Sequence, residues 1–130
     1  MPNYQLTADL VDGQVQITGN ANGNLNVPKG SPPTVFTFNL HDNTGLNVEF
    51  LSGASFLNAA NGNGCPACGT GNQVPTELTD AQSTGRTASF KDQNSQAGSI
   101  GFSLCFSCGN GSTPIYDPVI INGGRSDMAQ

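Results

Sequence analysis

Apolar and polar residues alternate along most of this chain. Tyr4, Leu6, Ala8 and Leu10 recur at every second position, and Val15 and Ile17 resume the pattern after Asp12-Gly13. A period of two places apolar side chains on one face of an extended strand. Asp-Gly between two such runs is a strong signal for a two-residue hairpin. Residues 34–40 and 46–51 also read as strands, and His41-Asp42-Asn43-Thr44-Gly45 between them has turn chemistry. Residues 87–91 and 99–106 read as another pair, with Ile100, Phe102, Leu104 and Phe106 on one face. Residues 119–121, all apolar, form a last short strand. About seven strands separated by Gly, Asn and Pro predict an all-β, single-domain antiparallel β-sandwich of immunoglobulin-like type. The one helical candidate is residues 76–82. Two segments stand outside the pattern. Residues 20–33 are polar and Pro-rich and read as a surface connection. Residues 58–75 form a Gly/Asn-rich loop long enough to be functional or tied down.

Length and charge narrow the class. A chain of 130 residues is one domain by default, 1–130, with enough length for a core. Charged residues make up 10% of it, against about 25% in an average domain. Net charge is −5, and the four basic residues, Lys29, Arg86, Lys91 and Arg125, are scattered. Phosphate contacts need clustered Lys and Arg, so no nucleic-acid partner is expected. No apolar run approaches the ~20 residues of a membrane span, so no membrane partner is expected either. The start, MPNYQLTADL, lacks the charged and apolar regions of a signal peptide. The expected compartment is cytoplasmic.

The cysteines are paired in sequence. Cys65-Pro66-Ala67-Cys68-Gly69 and Cys105-Phe106-Ser107-Cys108-Gly109 are both C-x-x-C-G. Two such knuckles suit a tetrathiolate zinc site, because four sulfurs complete tetrahedral zinc and glycine allows the tight turn. The spacer, residues 69–104, is longer than the ~15–20 usual in such sites. Disulfides and free thiols are the other two readings, and a cytoplasmic address disfavours stable disulfides. A closed four-thiolate site would be structural, so no cofactor is required for catalysis. A thioredoxin-like role would need a βαβ unit that this pattern lacks.

Familiar catalytic sets are missing. His41 is the one histidine and is expected at a hairpin turn, and no G-x-S-x-G elbow is present. Asp42-Asn43-Thr44-Gly45 only approximates the Asp-Thr/Ser-Gly turn of paired-aspartate peptidases, and it has no second copy. The carboxylates, Asp9, Asp12, Asp42, Glu49, Glu77, Asp80, Asp92, Asp117 and Asp127, read mostly as solvated turn residues.

Tyr116-Asp117-Pro118-Val119-Ile120-Ile121 is different. An Asp-Pro bond is chemically weak. The carboxyl reaches its own main-chain carbonyl, and the proline nitrogen is a relatively basic leaving group. Proline after aspartate can also simply begin an edge strand. Here the apolar neighbours Ile115, Tyr116, Val119, Ile120 and Ile121 predict a partly buried carboxyl, and burial disfavours the charged form. A fold that holds carboxyl and carbonyl together removes much of an entropic barrier.

With Asn122-Gly123-Gly124 at its end, this segment resembles the DP-EP family, small bacterial self-cleaving and self-assembling endopeptidases. The resemblance rests on residues 116–124, the chain length and the all-β pattern; the cysteines are not part of it. It implies an aspartate-dependent endopeptidase, a peptide hydrolase that cleaves itself at the Asp117-Pro118 bond, with Asp117 as catalytic residue. Autoproteolysis would give 1–117 and 118–130, with the small fragment kept as a strand of the sandwich. Tyr116 is a candidate assisting hydrogen-bond partner. Expected partners are its own C-terminal segment, other peptide or protein substrates, and further copies of the chain as a homo-oligomer. The alternative is a non-enzymatic β-sandwich interaction module held by structural zinc or a disulfide pair at Cys65, Cys68, Cys105 and Cys108.

Overall fold

The computed structural model describes residues 3–19, 24–53, 55–62, 74–116 and 119–124. Within them the chain forms eleven strands and no helix. In chain order these are β1 (Asn3–Val11), β2 (Gln14–Gly19), β3 (Asn24–Val27), β4 (Thr34–Asp42), β5 (Glu49–Phe50), β6 (Leu57–Asn61), β7 (Leu78–Thr84), β8 (Thr87–Asp92), β9 (Ala97–Ser107), β10 (Ile115–Tyr116) and β11 (Val119–Gly123). One sheet has the order β2-β1-β4-β8-β7. The other is built on β9, which carries β10 and β11 along one edge and β6 and β5 along the other; β3 extends it beyond β11. The two sheets face each other as a β-sandwich.

The β1–β2 hairpin forms as the pattern predicts, with Asp12 at φ 52° and Gly13 at φ 80°. Positive φ at both positions is what a tight hairpin turn requires. Other pairings differ from the antiparallel, roughly seven-strand expectation. β1 pairs with β4 in parallel, and β3 pairs with β11 in parallel. Residues 34–40 and 46–51 do not form a hairpin, because β4 belongs to the first sheet and β5 pairs with β9. Likewise β8 and β9 lie in opposite sheets. The supposed surface connection contains β3, whose Leu25 and Val27 are buried. The helical candidate at 76–82 is a turn followed, from Leu78, by strand β7. β7 pairs with β8 through a bulge between Thr79 and Gln82, where Asp80 takes φ 58°. One extra residue at a bulge breaks the two-residue alternation and hides a strand from a periodicity reading.

All seven phenylalanines are buried between the sheets. Phe36, Phe38 and Phe90 come from the first sheet, and Phe50, Phe56, Phe102 and Phe106 from the second side. Phe102 meets Phe90 edge-on at 5.4 Å between centroids and Phe38 at 6.3 Å. Burying such side chains stabilises by about 1.5–3 kcal/mol each. β9 is buried on both faces from Ile100 to Phe106, so Gly101, Ser103 and Cys105 are covered as well as the predicted apolar set.

Asp42 is not a solvated turn residue. Its side chain is only 6% exposed. It accepts hydrogen bonds from Thr44 N (2.9 Å), Thr44 Oγ1 (2.6 Å) and Val48 N (3.0 Å), with Arg86 at 3.5 Å. Burial pushes its pKa up, but the Thr44 and Val48 hydrogen bonds and the Arg86 charge outweigh that and hold it below the ordinary value. Asp42→Asn would turn a donor toward these N–H groups and should cost about 1.5–3 kcal/mol. A lowered folded pKa means the stabilisation is present above the unfolded carboxyl pKa and is lost as pH falls through the folded one. Chemical unfolding at neutral pH and near pH 3 should therefore show the gap between parent and variant shrinking in acid. An equal gap at both pH values would contradict this.

Candidate functional site

β9 organises the C-terminal segment. Tyr116 of β10 lies opposite Leu104, and Val119 of β11 lies opposite Gly101. Both pairs fall in one antiparallel register with β9. Asp117 and Pro118, the proposed scissile pair, lie outside the described residues. On their flanks Ile115 is 38% exposed, Tyr116 is half-buried and Ile120 is fully buried. The described residues of the apolar run are therefore not uniformly buried.

The Tyr116 ring enters the space left by Gly19, where a Cβ would lie 2.9 Å from Tyr116 Oη and 2.5 Å from Leu6 Cδ2. Burial, and then the neighbouring Tyr4, push the Tyr116 phenol pKa up. Tyr116 is thus a neutral O–H donor at ordinary pH. A cleft of about 290 Å³ opens between Gly13, Gln14 and Val15 of the hairpin and Asn110, Ser112, Thr113 and Pro114 before β10.

The strand beyond Asp117-Pro118 is held on both sides. β11 pairs with β9 from Val119 to Gly123 and with β3 from Val119 to Asn122. A second set of bonds comes from the β8 end, which sequence reasoning did not single out. Asp92, fully buried, accepts from Asn122 Nδ2 at 3.0 Å and from Asn94 N at 3.2 Å. Asn94 accepts from Gly124 N at 2.9 Å and donates to the oxygens of Gly124, Pro28 and Ser31 at 3.1–3.2 Å. Glu77 sits alongside, accepting from Ser95 N and Oγ and from Gln96 N. The sequence signal was faint: Asp92-Gln93-Asn94-Ser95 reads as an ordinary polar turn. Its burial comes from β11, a strand far along the chain.

Burial raises the Asp92 pKa; hydrogen bonds from Asn122 and Asn94 oppose this, and the Glu77 charge adds to it. The sign is opposite to that at Asp42. Stability from Asp92 is fully present below the unfolded pKa of about 3.9 and declines as pH rises through the folded one. Asp92→Asn, which cannot ionise, should remove that decline. Unfolding free energies across pH 4–8 should show the variant gaining on the parent as pH rises. A constant difference would contradict the raised pKa.

Of the four cysteines, Cys65 and Cys68 lie outside the described residues. Cys105 is fully buried, is disulfide-bonded, and its Sγ accepts from Asn58 Nδ2 at 3.1 Å. In that state it offers no thiolate to a metal. Cys108 carries a free, half-buried thiol packed on the core. Among the described residues no three His, Cys, Asp or Glu side chains converge on a metal site. His41 is exposed on β4, opposite Thr7.

The chain matches no family model and no curated protein. Among the described residues no helix is long and apolar enough to cross a membrane.

Proposed function

We propose that this chain is an aspartate-dependent endopeptidase that cuts itself between Asp117 and Pro118 and keeps both pieces together. The observation that carries the reading is the setting of β11. The strand immediately after the bond is central in its sheet, paired on both edges and anchored by Ile120 in the core. A cut before it would leave its hydrogen bonds intact.

The chemistry needs one carboxyl. An Asp117 carboxyl oxygen attacks the Asp117 main-chain carbonyl carbon, the C–N bond to Pro118 breaks, and the carboxyl proton passes to the proline nitrogen. The cyclic anhydride so formed is opened by water, giving a free C-terminal Asp117 with two carboxyl groups. Neighbouring placement supplies the rate advantage, and the proton transfer favours mildly acidic buffer, to about pH 5. Tyr116 is the candidate donor beside the site. The cleft next to β10 is where another extended peptide would lie, so activity on other chains and contacts between copies belong to the same proposal. Intact mass of aged protein beside the Asp117→Ala variant tests the reading.

The second reading is a non-enzymatic interaction module, and the disulfide at Cys105 favours it independently of Asp117. That bond also favours the disulfide over the structural zinc, and an oxidising compartment over the cytoplasm. A single uncut mass at every pH would put this reading first.

A further inference from the structure

Three neighbouring positions at the end of β11 are each constrained by a different contact. Asn122 is buried and gives its amide N–H to Asp92 Oδ1. At Gly123 a Cβ would stand 2.3 Å from Lys29 N and 2.7 Å from Lys29 Cα. Those are backbone atoms, which cannot swing aside as the end of a flexible side chain can. Gly124 has φ 84°, and a Cβ there would stand 2.6 Å from Ala97 N. Its N–H and C=O are both bound by the Asn94 side chain, and Gly30 N adds a second bond to the carbonyl at 2.9 Å. Two positions earlier than Asn122, Ile120 is fully buried in the core.

These contacts select by sequence, whereas the strand pairing alone selects only extended backbone. We propose that residues 28–31, Asp92, Asn94 and Ala97 form a peptide-recognition slot whose ligand is an extended segment reading Ile-x-Asn-Gly-Gly, filled here by residues 120–124. Its role as the holder of a separate fragment rests on the self-cleavage reading; its contacts do not.

The polar atoms of the slot leave two acceptors over. Asp92 Oδ2 and Asn122 Oδ1 are both buried without a hydrogen-bond partner, and they belong to the two side chains already joined by one bond. Two unmet acceptors on a bonded pair are costly. A proton on Asp92 gives it a hydroxyl to offer to the Asn122 amide oxygen. One proton then satisfies both atoms, as a carboxylic acid paired with an amide. Asparagine at position 92 would reproduce this pair, with its amide N–H in place of the hydroxyl.

The test has two arms. Amide hydrogen exchange on the full chain carrying Asp117→Ala needs no cleavage. Adding Asn122→Ala or Gly123→Ala should speed exchange in residues 120–124 by about tenfold or more over any change in β4, since each removes or displaces buried contacts. Adding Asp92→Asn should leave residues 120–124 within about threefold of the parent, since the pair is preserved. Unchanged exchange in β11, or an equal rise in both sheets, would overturn the slot. Loosening by Asp92→Asn as large as that by Asn122→Ala would overturn the acid–amide pair. The second arm uses cleaved protein on native size exclusion. The 118–130 fragment should stay with the parent and Asp92→Asn, and separate from Asn122→Ala and Gly123→Ala. Retention by all four would overturn sequence selection. If the parent never cuts, the self-cleavage reading fails while the first arm still decides the slot.

Discussion

Asp117→Ala should stay whole under conditions in which the parent chain separates into 1–117 and 118–130. The expectation is loss of the cut, because alanine removes the only nucleophile the mechanism uses. The Pro118 nitrogen remains a good leaving group in the variant, but nothing intramolecular attacks the carbonyl before it. Orientation of neighbouring groups accounts for about 7–11 kcal/mol in well-placed intramolecular reactions, so its removal takes the rate below detection. Asp117→Asn provides a finer reading. An amide is a much poorer nucleophile than a carboxylate and carries no acidic proton, so it should be nearly as inert. Folding should be unaffected in both, since the sheet pairs on either side, Tyr116 with Leu104 and Val119 with Gly101, involve other residues. Cutting at the same bond in Asp117→Ala would eliminate the aspartate mechanism.

Phe102→Ala should be the most destabilising single change in the core, at about 3–5 kcal/mol. Phe102 is fully buried on β9 and touches two rings of the opposite sheet, Phe38 and Phe90. Its removal opens a cavity at the junction of the sheets, and the rigid strands around it cannot collapse to fill the space. β9 also carries β11, so the loss should reach the C-terminal strand as well. Leu10→Ala is a useful contrast. Leu10 is 47% exposed near the hairpin tip, and such changes usually stay within about 0.5 kcal/mol. Denaturant midpoints for the two variants would check the ranking, and similar values would contradict the placement of Phe102 at the centre.

The sandwich was legible wherever a strand buries one face. Ile100, Phe102, Leu104 and Phe106 announced β9, and Asp12-Gly13 announced the first hairpin. Pairing was less legible than the strands themselves. Parallel partners such as β3 and β11 are joined by no turn, so no local signal connects residue 24 with residue 119. β5 and β10 are two residues each and exist because β9 offers them an edge. At residues 76–82 good helix formers misled, because pairing with β8 overrides local preference. The Asp-Pro bond was visible at once as chemistry. The slot behind it was not. Asp92, Asn94 and Asn122 look like ordinary polar residues near strand ends, and only the approach of β11 to residues 92–97 buries them together. Asp42 was misread for the same reason, since Arg86 reaches it from the turn between β7 and β8.

The most direct measurement is mass, taken twice on one sample aged in mildly acidic buffer. Under denaturing conditions two species should appear, residues 1–117 and 118–130, and under native conditions one species with their combined mass. A single uncut mass in denaturant would contradict self-cleavage. Two masses in denaturant with the small fragment missing from the native species would contradict retention by β11.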